Sequence, residues 1–235
     1  PPSHLCLHDN TVESIEFFSS MRQQMTAKLN DSNLSRSGWL IEPKRKTQPR
    51  RISSFVDYSK IASLSTAAAV VLTAGYERLR ELLNQVPPAI NIDKWNPVVF
   101  KKLFEVGFFE SVGLSERSAD QFLSNTNTKS TRILSGRDSS DLEDAAAAIL
   151  SLCSFLGEKV ELRREIEFAL NDAVAEAMAN VATHAYPDQH EFQYRHVGKW
   201  WFAATADRSD NSLTIVLFDQ GATIPITFPW RSWSS

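Results

Sequence analysis

The chain has 235 residues, 43% of them hydrophobic and 23% charged, with a formal net charge of -3. That composition suits one large or two small globular domains and gives no global bias toward nucleic acid or an anionic membrane. Two cysteines, Cys6 and Cys153, are too few and too far apart for a disulfide framework or a metal knuckle, so both are expected as reduced thiols in a cytoplasmic protein. The longest apolar stretches, 67–73 and 145–150, fall far short of a membrane span, and no signal-peptide pattern opens the chain. Its first residue is Pro rather than Met, which points to a beginning further upstream.

Residues 12–29 place Val12, Ile15, Phe18, Met25 and Leu29 at helical spacing, with Asn10 or Thr11 as the cap. A short strand is expected at 39–41. The basic run 44–51 contains a Pro and lacks aromatic neighbours, so it reads as a solvated loop rather than a nucleic-acid contact. Residues 52–58 alternate like a strand. Residues 65–83 form a helix that Ser65 or Thr66 can cap, and Pro87-Pro88 follows it. A strand at 89–92 precedes a helix with Asn96 as cap, Pro97 at its first position and Gly107 at its end. This alternation of strand and helix is an α/β signature.

The polar stretch 116–130 makes the domain boundary, dividing the chain into segments 1–115 and 131–235. Beyond it an edge strand is expected at 131–134, a helix over Leu142–Leu156 ended by Gly157, and a long helix over 160–185. Trp200–Asp207 and Ser212–Asp219 read as a β-hairpin across Arg208, Ser209, Asp210 and Asn211. In a strand Trp200 and Trp201 point to opposite faces.

On the long helix, Ile166, Leu170, Ala173, Ala177 and Val181 share an apolar face. Glu165, Asp172, Glu176, Asn180 and Thr183 form a polar stripe beside it. Glu176 and Asn180 are four apart and therefore neighbours on the helix surface. An amide oxygen is a neutral, hard ligand for Mg²⁺, and a carboxylate beside it can orient or deprotonate an attacking hydroxyl. On spacing alone the stripe reads first as the solvated face of an amphipathic helix.

The complete string Glu176-Ala-Met-Ala-Asn180-Val-Ala-Thr-His184-Ala-Tyr186 resembles the N-box of the GHKL ATPase superfamily, and within it the anti-sigma-factor serine kinases. Ile215-Val-Leu-Phe-Asp219-Gln-Gly221-Ala-Thr223-Ile-Pro225 resembles the aspartate-glycine box that follows the central strand of the same fold. The resemblance implies an ATP-binding protein with Mg²⁺ as its metal. Glu176 would be the general base and Asn180 the Mg²⁺ ligand. Asp219 would accept the adenine amine, with Gly221, Thr223 and His184 at the nucleotide. Thr223 stands where the family has a second glycine, and a β-branched residue there crowds the approach. Ten residues follow Pro225, and none of the eight glycines lies beyond Gly221. The expectation is therefore an incomplete Bergerat-type α/β sandwich lacking its lid and second glycine box.

In the first segment, Phe55-Val-Asp57-Tyr-Ser59 and Leu64-Ser65-Thr66-Ala67-Ala68 are similar to the STAS fold of anti-sigma-factor antagonists. Asn96-Pro97 and the stretch from Leu103 to Phe108 resemble that fold's closing helix. The family's phosphoacceptor serine falls on Ala67, so Ser65 and Thr66 read first as helix caps. The whole-chain expectation is a STAS-like α/β segment joined to a GHKL-like one. It implies a protein partner and leaves open either an ATP-dependent regulator or a partner-binding scaffold without turnover. His184, His190 and His196 match no familiar zinc spacing and read as surface or capping residues. A P-loop, a dinucleotide fingerprint and a G-x-S-x-G elbow are all missing from the sequence.

Overall fold

The computed structural model describes residues 1–30, 55–83, 87–112, 127–138, 140–157 and 164–222. The strand expected at 39–41, the basic run 44–51, residues 116–126 of the linker, Thr223 and the aromatic tail lie outside the described residues.

The first segment opens with β1 (His4–Leu5) and α1 (Thr11–Asn30), followed by β2 (Ser63–Leu64) and α2 (Thr66–Leu83). A 3₁₀ turn over Ile92–Lys94 leads to α3 (Pro97–Glu105) and α4 (Phe108–Ser111). β1 and β2 pair in parallel over two residues, and Val56 makes a single parallel bridge to Ala89. The strand expected at 89–92 is thus reduced to one bridge, because Ile92 already begins the 3₁₀ turn. Caps follow the sequence closely. Ser65 Oγ accepts from Ala68 N at 3.2 Å at the start of α2, and Asn96 accepts from Val98 N at 2.9 Å at the start of α3. On α1, by contrast, Val12 and Ile15 are exposed, while Ser14 is fully buried with its hydroxyl bonded to both Cys6 N and Cys6 O at 3.0 Å.

The end of the expected linker is strand β3 (Thr128–Ser130), which joins the sheet of the second segment, and that segment contributes β4 (Leu134–Gly136), α5 (Leu142–Leu156) and α6 (Arg164–Asn180). A π-helical turn (Val181–Ala185) continues α6 before β5 (Trp200–Asp207) and β6 (Ser212–Asp219). All pairings in this sheet are antiparallel: β6 lies along one edge of β5, and β3 and β4 share the other. Of the edge strand expected at 131–134, only Leu134 is strand, as the start of β4, and 131–133 interrupt the pairing between β3 and β4. Ser130 faces Thr205 and Leu134 faces Phe202, so three residues on one side span two on the other. Thr131 Oγ1 accepts from Ala204 N at 2.9 Å, and Ile133 N turns away to Val106 O at 3.1 Å.

β5 is buried along seven of its eight residues, and its alternation sorts two cores. Trp200, Phe202, Ala204 and Ala206 pack with α5 and α6 residues, including Ile149, Leu152, Val174 and Met178. Trp201 and Ala203 pack into the core of the first segment, with Leu72, Leu79, Val99 and Phe108. β6 alternates the same way: Leu213, Ile215 and Leu217 on one side, Val216 and Phe218 on the other. Gly136 lacks a side chain where the Trp200 ring crosses it; a Cβ there would come within 2.6 Å of that ring and of Asp141 Oδ2. Among the described residues no helix is long and apolar enough to cross a membrane.

Polar contacts tie α2 and α3 to the sheet. Glu77, on α2, accepts from Trp201 Nε1 at 3.0 Å, Ser135 Oγ at 2.8 Å and Lys199 Nζ at 3.2 Å. On α3, Glu105 accepts from Ser130 N at 2.9 Å and from Lys101 Nζ at 2.8 Å, and Lys101 also donates to Thr128 O. Replacing Glu77 by Ala strips a buried indole N–H of its acceptor and leaves the Lys199 ammonium with Glu81 alone, at 3.0 Å. We expect Glu77→Ala to lower unfolding free energy by about 2–3 kcal/mol, and Glu77→Gln by less, in urea titrations followed by tryptophan fluorescence.

Candidate functional site

The buried stripe of α6 consists of Val174 and Met178, continued by Val181 and Ala185 of the π turn. It differs from the face expected from the sequence: Ile166 is 44% exposed and Ala173 is exposed as well. The larger side chains at 174 and 178 seat on the sheet and rotate the helix accordingly. The polar stripe consequently faces outward, and Glu165, Asp172, Glu176, Asn180, Thr183 and His184 are all exposed. Glu176 and Asn180 lie roughly 180–220° round the helix from the centre of the buried face. Asn180 Nδ2 donates to Glu176 Oε1 at 3.1 Å, which leaves the amide oxygen for another partner.

Asp219 ends β6 and is half-buried. Its Oδ1 accepts from Gly221 N at 2.8 Å, closing an Asx turn that folds the chain back toward the π turn. There Ala222 N donates to Ala185 O at 2.6 Å. A Cβ on Gly221 would stand 2.3 Å from that same oxygen. The glycine is thus needed for the loop to lie against the helix end, and not only for approach to a ligand as its motif suggests.

Gln220 is held on three sides. Its N–H donates to Tyr186 Oη at 2.9 Å, its carbonyl accepts from Tyr194 Oη at 2.8 Å, and its Oε1 accepts from Arg78 Nη1 at 3.4 Å. Tyr186 Oη in turn donates to Lys199 O at 2.7 Å. Burial raises the Tyr186 phenol well above its ordinary value, so it stays a neutral donor.

The structure therefore brings Glu176 and Asn180 together as a pair, and brings Asp219 and Gly221 together as a turn. The two groups are joined through Ala185, at the end of the π turn that follows Asn180. His184 precedes that junction with its side chain in solvent. Thr223 lies outside the described residues. Arg78 and Tyr194 at the aspartate loop were not singled out from the sequence. The signal for Arg78 was available, because with Val71 and Gly75 it falls at i, i+4, i+7 on the apolar side of α2.

Chemically, the free amide oxygen of Asn180 is the donor type Mg²⁺ takes, and Glu176 beside it is a carboxylate open to solvent. Among the described residues no group of three or more His, Cys, Asp or Glu side chains could hold a metal ion. A divalent ion at Asn180 would then draw its other ligands from water and a phosphate-bearing molecule, the usual manner of Mg²⁺. Compared with protein-family models, curated proteins and solved structures, the chain matches none.

Next to the loop, His196 stacks on Tyr186 with centroids 4.7 Å apart and packs on Phe192 at 4.2 Å. The residue is partly exposed, but its Nδ1 is buried with no partner among the described residues. Burial, then the charge of Arg78, holds its pKa below the usual 6.5. The unfolded chain therefore takes up the proton first. Stability from a neutral His196 is complete above pH 6.5 and is lost as pH falls toward the lower folded value. Urea unfolding at pH 7.5 and 5.5 should show a smaller acid loss of stability for His196→Phe than for wild type.

Proposed function

We propose that the chain is an ATP-binding regulatory protein of the kind its N-box and aspartate box resemble, the anti-sigma-factor serine kinases. The observation that carries this reading is the junction at Ala185. It keeps the Glu176–Asn180 pair and the Asp219–Gly221 turn at one end of the same helix, so one elongated ligand can reach both. In this reading Asp219 accepts the exocyclic amine of adenine. The Asn180 oxygen ligates the magnesium that accompanies the phosphates, and Glu176 orients or deprotonates the attacking hydroxyl. His184 and Thr223 border the same nucleotide. The STAS-like first segment would dock the protein partner.

A second reading, a partner-binding scaffold that does not turn nucleotide over, has an observation of its own. Glu176 already shares a hydrogen bond with Asn180, and both stand on the outward side of α6, exposed among the described residues.

Calorimetry separates these readings. Wild type should bind Mg-ATP, and Asn180→Ala should weaken binding by about tenfold or more, in line with loss of a metal ligand. Asp219→Asn should weaken ATP whether or not magnesium is present. Binding without release of phosphate, or transfer to a partner, would favour the scaffold. No binding by wild type overturns the nucleotide reading.

A further inference from the structure

A cavity of about 340 Å³ lies between α1, α2 and the aspartate loop, on the side away from the exposed stripe of Glu176 and Asn180. Its walls are mainly apolar, with Ile15, Phe18, Met21, Met25, Val71 and Phe218 facing it, and Gly75 leaves room in the α2 wall. Two cations and one carboxylate border it: Arg22, Arg78 and Asp219.

Arg78 is the unusual member. Its side chain is 1% exposed, yet Nε and Nη2 have no hydrogen-bond partner among the described residues, and Nη1 reaches only Gln220 Oε1 at 3.4 Å. Among those residues no carboxylate forms an ion pair with it. The Tyr194 ring has both guanidinium groups 5.2 Å from its centroid, so two cations approach one aromatic side chain and repel each other. Asp219 borders the same cavity but is not among the charges acting on Arg78, and its Oδ1 accepts from Gly221 N. A buried guanidinium with free N–H groups is costly unless something accepts them, and its planar fork suits a carboxylate or a phosphate.

We propose that this cavity is a binding site for a small amphiphilic anion, whose carboxylate or phosphate head pairs with Arg78 and Arg22 and whose apolar body lies among the methionine and phenylalanine side chains. The volume is within the range of small-ligand pockets, and Met21 and Met25 are adaptable walls. Arg78 contacts Gln220, the neighbour of Asp219, so an occupant here would bear directly on the aspartate loop. The inference does not depend on nucleotide binding, and its test uses no nucleotide.

The test is calorimetry of the full chain with octanoate, octyl phosphate and 1-octanol, with circular dichroism to follow folding. Octanoate or octyl phosphate should bind saturably at one site, and 1-octanol at least about tenfold more weakly. The tighter of the two anions identifies the head group. Arg78→Met should lose the preference for the anion while remaining folded, since it removes an unpaired buried charge. Arg22→Gln, at an exposed position, should weaken the anion several-fold and flatten its salt dependence. That exposed variant decides the matter even if Arg78→Met fails to fold. Equal binding of octanol and octanoate, anion binding unchanged in Arg22→Gln, or no binding of either anion to wild type would each overturn the proposal.

Discussion

Strand β5 has no solvent face, and the positions of the other elements follow from that. Trp200 and Trp201 are adjacent in sequence and both fully buried, one against α5 and α6, the other against the helices of the first segment. Losing either ring would cost about 3–5 kcal/mol, a large share of the 5–15 kcal/mol that a folded domain has in total. Each indole N–H also finds an acceptor, Trp200 at Asp138 O and Trp201 at the Glu77 carboxylate. The two segments on either side of residues 116–130 therefore meet on one strand, through apolar packing and through Glu77.

That meeting determines where the aspartate loop lies. β6 is zipped to β5 along its full length, so Asp219 emerges opposite Trp200, beside the end of α6 on one side and α2 on the other. The loop then has two neighbours of different character. Toward α6 it closes on Ala185 and the Tyr186 hydroxyl, which links it to the outward pair Glu176 and Asn180. Toward α2 it meets Arg78, Tyr194 and the apolar cavity. Asp219, Gln220 and Gly221 thus line the cationic pocket on one side and, through Ala185, adjoin the solvent-facing stripe on the other. A ligand proposed on one side would act on the other only by binding one arrangement of this loop more tightly than another.

Much of the local structure was legible in the sequence. The hairpin strands, the Asn96–Pro97 start of α3 and the Gly157 end of α5 follow from turn formers, caps and breakers, which act within a few residues. What was not legible depends on tertiary contacts. The break at 131–133 arises because Thr131 replaces a backbone acceptor with its hydroxyl while Ile133 is drawn to Val106. The face of α6 is set by Val174 and Met178 fitting the sheet, and runs of alanine at 173, 175 and 177 gave periodicity no means to choose it. Arg78 is polar by type and buried by position, so only its spacing from Val71 and Gly75, and not its residue type, marks it. Of the site, the pairs Glu176–Asn180 and Asp219–Gly221 were legible as motifs, but their junction through Ala185 was not.

The most direct test of the shared strand is native-state hydrogen exchange resolved by residue. If β5 joins both segments in one cooperative unit, amides of α2 from Leu72 to Leu79 and of β5 from Trp201 to Thr205 should exchange with the same opening free energy. They should lose protection together in rising denaturant. Protection of α2 that is lost well before, or survives well after, that of β5 would contradict the account and mean that the two segments fold as separate units.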